Sequence, residues 1–274
     1  MATIAGTFAG REQRGDALSG TPRPHAIDRW IFVFMAAWFI AIVLTGFIPD
    51  SLMKVGMVQA GGRPPFPPVL HMHAVVMGSF LAVLLTQTWL MATGRKALHM
   101  QIGLLGMALA ALLVVVGAVL APTMYYQTWD ALQAAPPAQR GPLQQLLSVR
   151  ENILLLQLRV GLLFPLFLGL GLRARRGDAG LHKRMIILAT AVPLGAGFAR
   201  MTWLPTTMPY SGTSLDVMIV LAVAPMFAWD VIRNRSVHRA YWIWLPIYFV
   251  TSVITWLLWD TPWWHATAQA IMRV

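Results

Sequence analysis

Long apolar runs separated by short polar segments dominate the chain. The hydrocarbon core of a bilayer, about 30 Å thick, is crossed by a helix of roughly 20 apolar residues. Seven runs reach that length, at 29–47, 68–91, 101–120, 152–172, 185–204, 215–232 and 241–259. We therefore predict an all-α membrane protein, a bundle of seven transmembrane helices that forms one domain over residues 29–274. Pro193 interrupts the fifth run, and a lipid-embedded helix tolerates proline when neighbouring groups satisfy the freed carbonyl.

The composition supports this class and narrows the chemistry. The 274 residues are 57% hydrophobic and 11% charged, which is outside the range of a soluble globular chain. The net charge is +11, but the basic residues lie between apolar runs and not on a solvated domain, so the sequence predicts no nucleic-acid partner. The absence of cysteine excludes disulfides, thiolate metal sites and thiol nucleophiles.

The distribution of Lys and Arg predicts the orientation in the membrane. With the N-terminus in the cytoplasm, the inner segments hold most of these residues, as cytoplasmic loops do. The outer side then keeps only Lys54, Arg63, Arg140, Arg150, Arg200 and Arg273. We predict a cytoplasmic N-terminus, an outer C-terminus and a bacterial inner (plasma) membrane. Residues 1–28 lack a signal-peptide pattern and are expected to form a disordered cytoplasmic tail.

Two outer connections, 48–67 and 121–151, are expected to be long. Five aromatic residues lie in the second connection and near the C-terminus, where such side chains settle at the headgroup boundary. They are Tyr125, Tyr126, Trp129, Trp263 and Trp264. A lid over an outer pocket is the alternative interpretation of this group.

Histidines at the ends of the predicted helices are the main candidates for chemistry, because an ionisable residue in the membrane costs about 2–3 kcal/mol or more near the centre. His71 and His73 open the second helix and point to nearly opposite sides, since successive residues turn by about 100°. His73 shares its face with Met77 and Gln87 and is predicted to point inward.

His99, His182 and His238 begin three other helices at the cytoplasmic side. A neutral imidazole is a good ligand for haem iron, copper or zinc. The candidate metal ligands are His71, His73, His99 and His182. Haem held by two histidines needs them at matching depth, which predicts His99 with His182, or His73 with an outer partner such as His265. The alternative is that these are ordinary interfacial histidines beside Lys and Arg.

Two arginines could add positive charge to the candidate cofactor site. Arg159 lies well inside the fourth predicted helix and Arg200 near the outer end of the fifth. Together with histidine they could hold an anionic group such as a propionate, a phosphate or a quinone oxygen. Alternatively, Arg159 pairs with Glu151 or helix-end carbonyls, and Arg200 extends to water. Asp230 is expected to pair with Arg233 or Arg184.

Several motifs resemble those of a known group of proteins. "HMHAVVM", "QTWLMATGRKALHMQIGLLG", "LHKRMIILAT", "GFARM" and "AWDVIRNRSVH", spread over 70–240, resemble an uncharacterised family of bacterial multi-pass inner-membrane proteins with histidines at helix starts. The helix entries are more distantly similar to those of cytochrome b561-like proteins and of haem-handling assembly factors of respiratory oxidases. The first predicted helix lacks histidine, which departs from the b561 ligand arrangement.

These observations predict a redox-associated integral membrane protein of electron transport that binds haem b, or else copper or a quinone, through His73, His99, His182 and His238. The alternative is a transporter, or a non-catalytic accessory subunit of a respiratory or photosynthetic complex. The expected partners are the lipid bilayer and other membrane subunits or a second copy of the chain. The sequence carries none of the His-Glu-x-x-His, Gly-x-Ser-x-Gly or His-x-x-x-His motifs of membrane enzymes, so no catalytic residue is predicted and enzymatic activity stays open.

Overall fold

The computed structural model describes residues 25–274, and the described chain folds into helices joined by short connections. The helices, which we number in chain order, are α1 Ala26–Gln59, α2 Pro68–Ala92, α3 Lys96–Ala134, α4 Pro137–Ala174, α5 Ala179–Ala191, α6 Gly195–Phe198, α7 Thr213–Asn234, α8 Arg239–Leu258 and α9 Pro262–Met272. Of the predicted tail, residues 1–24 lie outside the described part. Helix α1 begins three residues earlier than predicted, after His25, whose side chain accepts a hydrogen bond from Ile27 N at 3.2 Å.

Six of the described helices are long and apolar enough to cross a membrane: α1, α2, α3, α4, α7 and α8. Many large apolar side chains on these helices point outward, as is expected where lipid replaces water. Phe34, Trp242 and Phe249, for example, are between 51% and 68% exposed. The structure thus confirms the prediction of an all-α, multi-pass membrane protein.

The fifth predicted span, 185–204, is not one helix. Helix α5 ends at Ala191, a 3-10 turn follows at Val192–Leu194, and the short α6 ends at Phe198. Pro193 explains the break, because proline has no N–H and its ring clashes with the preceding helical turn. A seventh membrane-spanning helix is therefore not confirmed.

Helices α3 and α4 extend much further than the apolar runs predicted. The predicted outer connection 121–151 is almost entirely helical, and only two residues separate the 39-residue α3 from the 38-residue α4. At 1.5 Å per residue, α3 is about 58 Å long, nearly twice the thickness of a bilayer core. The connection 48–67 is likewise helical as far as Gln59.

The part of α3 and α4 from Ala121 to Leu155, which we call the projecting segment, packs with α9 around a small second core. Its buried members are Tyr125, Leu132, Leu147, Leu154, Leu155, Trp264, Ala268 and Met272. Tyr125 and Trp264 are 2% and 3% exposed, so the prediction that they lie at the lipid headgroups is wrong for these two residues. They became buried because this segment is a packed helical assembly and not an open loop.

The main core lies where α1, α4, α5 and α8 meet. Phe39, Leu163, Phe167, Met185 and Trp244 are all fully buried there. Because lipid is as apolar as these side chains, close packing holds such helices together more than the hydrophobic effect does.

Antiparallel helices give the bundle two ends, which we name by one residue each. The His99 end carries the start of α1, α3, α5 and α8 and the end of α2, α4 and α7. The Arg200 end carries the opposite termini of the long helices. At the His99 end, buried Asp28 accepts hydrogen bonds from Trp229 Nε1 at 3.0 Å and Arg233 Nε at 3.2 Å, which ties α1 to α7.

Candidate functional site

The predicted site residues do not gather in one place. His71 and His73 lie in the first turns of α2 at the Arg200 end, whereas His99 and His182 lie at the other end of the bundle. His73 lies nineteen positions before the last residue of α2, which corresponds to roughly 28 Å of helix. The structure therefore does not bring the four predicted metal ligands together. His71 is exposed and lies edge-on to the Phe66 ring, with 6.0 Å between centroids.

Arg159 is fully engaged within the protein. Its Nη1 donates to Asp216 Oδ1 at 2.7 Å, its Nε to Thr251 Oγ1 at 3.3 Å and its Nη2 to Ser252 Oγ at 2.5 Å. The Tyr248 ring lies 4.4 Å from the guanidinium carbon, and the Tyr248 hydroxyl donates to Asp216 at 2.7 Å. The arginine is 9% exposed. This geometry favours the ion-pair alternative, with Asp216 as the partner in place of Glu151, and joins α4, α7 and α8.

A second ion pair is buried completely. Arg184 of α5 and Asp230 of α7 are both 0% exposed. Arg184 donates from Nε to Asp230 Oδ2 at 2.7 Å and from Nη2 to Oδ1 at 2.8 Å, and the Tyr241 hydroxyl donates to Oδ2 at 2.7 Å. This pairing of Asp230 with Arg184 is one of the two that the sequence predicted.

Two other predicted residues have structural roles in the protein. His238 caps α8, since its Nδ1 accepts a hydrogen bond from Ala240 N at 3.1 Å. Arg200 pairs with Asp50 through its Nε, 3.2 Å from Oδ2, and its Nη1 donates to the Ala196 carbonyl at 2.5 Å. His238 is therefore less suited to bind a cofactor than His99 or His182.

His99 and His182 both lie at the His99 end, on α3 and α5. The two imidazoles are close enough for a charge on one to repel a charge on the other. His182 Nδ1 lies 2.8 Å from the carbonyl oxygen of Gly171 on α4. A Cβ on Gly171 would lie only 3.0 Å from the Ile186 side chain, so glycine allows the close approach of α4 and α5 that this bond needs.

Several polar atoms beside these histidines have no hydrogen-bond partner in the described structure. Nδ1 of His99 is buried and unpaired, and so are both side-chain amide atoms of Gln87 on α2. The main chain of Gln87 lies within hydrogen-bonding reach of the His99 ring. Gly103 of α3 faces the Gln87 amide, since a Cβ there would lie 3.5 Å from Nε2. Buried polar groups are almost always satisfied in native proteins, so these atoms can bind a water molecule or a ligand.

Basic side chains surround the histidine pair. Arg175 and Lys183 lie within electrostatic reach of His182. Arg175 Nη1 also contacts Met107 Sδ of α3 at 3.3 Å, and Lys183 Nζ lies 5.1 Å from the centre of the Phe32 ring. The pair thus sits in a positive environment at the boundary of the bundle.

A cluster that the sequence did not predict lies in the projecting segment. His265 of α9 bonds through Nδ1 to Glu151 Oε2 at 2.5 Å and through Nε2 to Asp260 Oδ1 at 3.0 Å. Tyr125 and Gln269 also donate to Glu151 Oε1, at 3.2 and 3.1 Å. Both ring nitrogens of His265 are occupied, so His265 is not free to share a haem iron with His73.

This cluster borders an open cleft of about 470 Å³ lined by Trp129, Leu132, Gln133, Gln144, Leu147, Ser148, Glu151, His265 and Gln269. Asn152 donates to Asp260 Oδ1 at 3.2 Å, and this bond, together with that of His265, lowers the pKa of the Asp260 carboxyl. Only the proximity of Glu151 and Asn152 in the sequence could have drawn attention to this site, because His265 and Asp260 lie more than a hundred residues away.

His73 remains without an assigned partner. It is half-buried one turn inside α2, and its Nδ1 is buried without a hydrogen-bond partner. No group of three or more His, Cys, Asp or Glu side chains suited to a metal ion occurs in residues 25–274. This excludes a conventional cluster within that range but does not concern haem, which uses axial ligands alone.

No family model, curated protein or solved structure matches the chain.

Proposed function

We propose that the protein is a redox-associated integral membrane protein that binds haem b through His99 and His182. One observation carries this proposal: two imidazoles from different helices lie at the same end of the bundle, near enough for their charges to interact, beside a histidine nitrogen and a glutamine amide that are buried and unpaired in the described structure. Axial ligation by two histidines from different helices requires such a meeting at one depth.

The hydrogen bonds of the two rings suit axial ligation. A histidine that binds a metal through one ring nitrogen donates its other N–H to a carbonyl, a carboxylate or water, which fixes the tautomer and the ring orientation. The carbonyl of Gly171 can take this role for His182 Nδ1, which leaves the Nε2 lone pair for iron. For His99, the nearby main chain of Gln87 would take this role at Nε2, which would leave the unpaired Nδ1 for iron.

The charges nearby suit the two propionates of a haem. Arg175 and Lys183 are placed to attract carboxylates, and at this end of the bundle the propionates would meet the polar boundary of the membrane. When bound, the haem would supply one-electron transfer. The chain itself would supply His99 and His182 as the residues that hold the haem and would orient the two imidazoles.

A transporter or accessory role is less well supported. A solute path needs intramembrane charges that can exchange partners, whereas Arg159 and Arg184 are each held by several hydrogen bonds. We also propose that the His99 end faces the cytoplasm of a bacterial inner membrane, because basic residues are concentrated there.

Visible absorption of the full-length protein, purified from haem-replete cells, tests the proposal. We expect a Soret band in the wild type and its loss, or a shift with at least tenfold lower haem occupancy, in His99→Gly and His182→Gly. His71→Gly is the matched control, because His71 is exposed and far from the pair, and it should keep the band.

Adding imidazole to the His99→Gly variant distinguishes a lost haem ligand from a lost fold. Imidazole should restore the band of His99→Gly, since it can occupy the space of the missing side chain. A colourless wild-type protein, or a band that survives both substitutions, would contradict the proposal.

A further inference from the structure

Three arginines from separate segments gather at the Arg200 end. Arg63 lies between α1 and α2, Arg150 lies on α4, and Arg200 follows α6. Arg63 and Arg200 are both near enough to Arg150 for their charges to repel its own. All three side chains are half-buried, so water screens this repulsion only in part.

The described structure provides too few negative charges for this group. Asp50 is the carboxylate in contact with it, and Asp50 Oδ2 already accepts from Lys54 Nζ at 2.6 Å and from Arg200 Nε at 3.2 Å. Within residues 25–274, neither Arg63 nor Arg150 has a carboxylate partner. The Nε atoms of both are buried without a hydrogen-bond partner.

The faces of two guanidinium groups are covered by aromatic rings. On the edges, Nε of Arg63 has no hydrogen-bond partner in the described structure, whereas Arg200 already donates from Nε to Asp50 and from Nη1 to Ala196. Arg63 lies over the Phe66 ring at 4.8 Å, and Arg200 lies over the Phe47 ring at 4.2 Å. Stacking on an aromatic ring fixes the plane of a guanidinium, and its edge is the part that grips phosphate or carboxylate with two parallel hydrogen bonds. The arrangement is therefore preorganised for an oxyanion.

We propose that Arg63, Arg150 and Arg200 form a binding site for a phosphate group, which binds at the surface of the bundle. The void that Arg150 lines between α3 and α4 has a volume of about 10 Å³, which admits a water molecule and not a phosphate, so we place the anion outside this void, between the guanidinium groups. At the end of a transmembrane bundle, a phosphate can come from an anionic phospholipid headgroup or from solution. The site is independent of the proposed haem and lies at the opposite end of the bundle.

Binding measurements on the full-length protein in detergent test this site. The probes are a fluorescent short-chain phosphatidylglycerol and inorganic phosphate as its competitor. We expect the double variant Arg63→Gln, Arg150→Gln to bind the lipid at least tenfold more weakly than the wild type. The double variant Arg63→Lys, Arg150→Lys keeps the charge but loses the two-pronged edge, and it should fall between them.

Arg273→Gln is the control for net charge, since this exposed arginine lies on the chain just after α9 and, within the described part of the chain, bonds only through its main chain. It should bind within twofold of the wild type. Displacement of the lipid by millimolar inorganic phosphate would identify free phosphate as a ligand, and resistance to it would identify the lipid headgroup. Unchanged binding by the glutamine double variant, or an equal loss in Arg273→Gln, would overturn the proposal. Equal helicity of the variants and the wild type, measured by circular dichroism, would exclude unfolding as the cause of weaker binding.

Discussion

Replacing Asp230 with alanine tests whether the buried ion pair holds the bundle together. The substitution removes the two hydrogen bonds, at 2.7 and 2.8 Å, that the Arg184 guanidinium donates to Asp230 at a position with 0% exposure. It also leaves the Tyr241 hydroxyl without its acceptor. Breaking one side of a buried pair in this way costs about 3–5 kcal/mol.

The double variant Arg184→Leu, Asp230→Leu isolates the cause. It removes both charges and fills the space with apolar side chains, and such replacements of buried pairs are often neutral or stabilising. We expect it to recover most of the stability that the single variant loses. Lys54→Ala is the control, because its pair with Asp50 is partly exposed, at 30% and 16%, and such pairs contribute about 0–1 kcal/mol.

The free energy of unfolding can be measured by titrating detergent-solubilised protein with SDS and following helicity by circular dichroism. The single variant should unfold at a clearly lower SDS fraction than the wild type and Lys54→Ala. If Asp230→Ala costs less than about 1 kcal/mol, or if the double variant is as unstable as the single one, the pair is not what secures these helices.

Two further substitutions probe helix contact and pH dependence. Gly46→Ala should destabilise the protein by several kcal/mol or displace α6, since its Cβ would lie 2.2 Å from the Gly197 carbonyl oxygen. Gly56→Ala is the control, because nothing lies within 4 Å of its Cβ, and it should not destabilise the protein. Equal stability of the two variants in the same SDS titration would disprove the close contact. The lowered pKa of Asp260 means that its bonds to an amide and an imidazole stabilise the fold above about pH 4 and are lost as the pH falls through the folded-state pKa. The stability difference between wild type and Asp260→Asn should therefore shrink on acidification, and a difference constant from pH 7 to pH 2 would argue against this role.

The apolar runs were sufficient to locate six long helices but not to find where they end. Hydropathy stops at the bilayer boundary, so it could not show that α3 continues through Tyr125 to Ala134. That extension depends on packing against α9, which is distant in sequence. In the fifth run, Pro193 was visible, but whether neighbouring groups would bridge the break depends on tertiary contacts.

The candidate sites were predicted in part. The placement of His99 and His182 at the same end of the bundle follows from depth alone, because both residues open helices that start there, and their joint binding of a haem stays a prediction. The depth of a residue in the membrane does not tell in which direction its side chain points around the helix axis. It could therefore not show that Arg159 faces Asp216. The bond between His265 and Glu151 joins residues 114 positions apart, and a single sequence contains no signal for such a contact.

The short α5 constrains how the chain can be inserted during synthesis. Its 13 residues span only about 20 Å, too little to cross a bilayer, and it carries Arg184. A carboxylate that pairs with this charge, Asp230 of α7, is 46 residues further along. This link between α5 and α7 can therefore form only after the ribosome has delivered α7, so the final seating of α5 in the bundle comes late in synthesis.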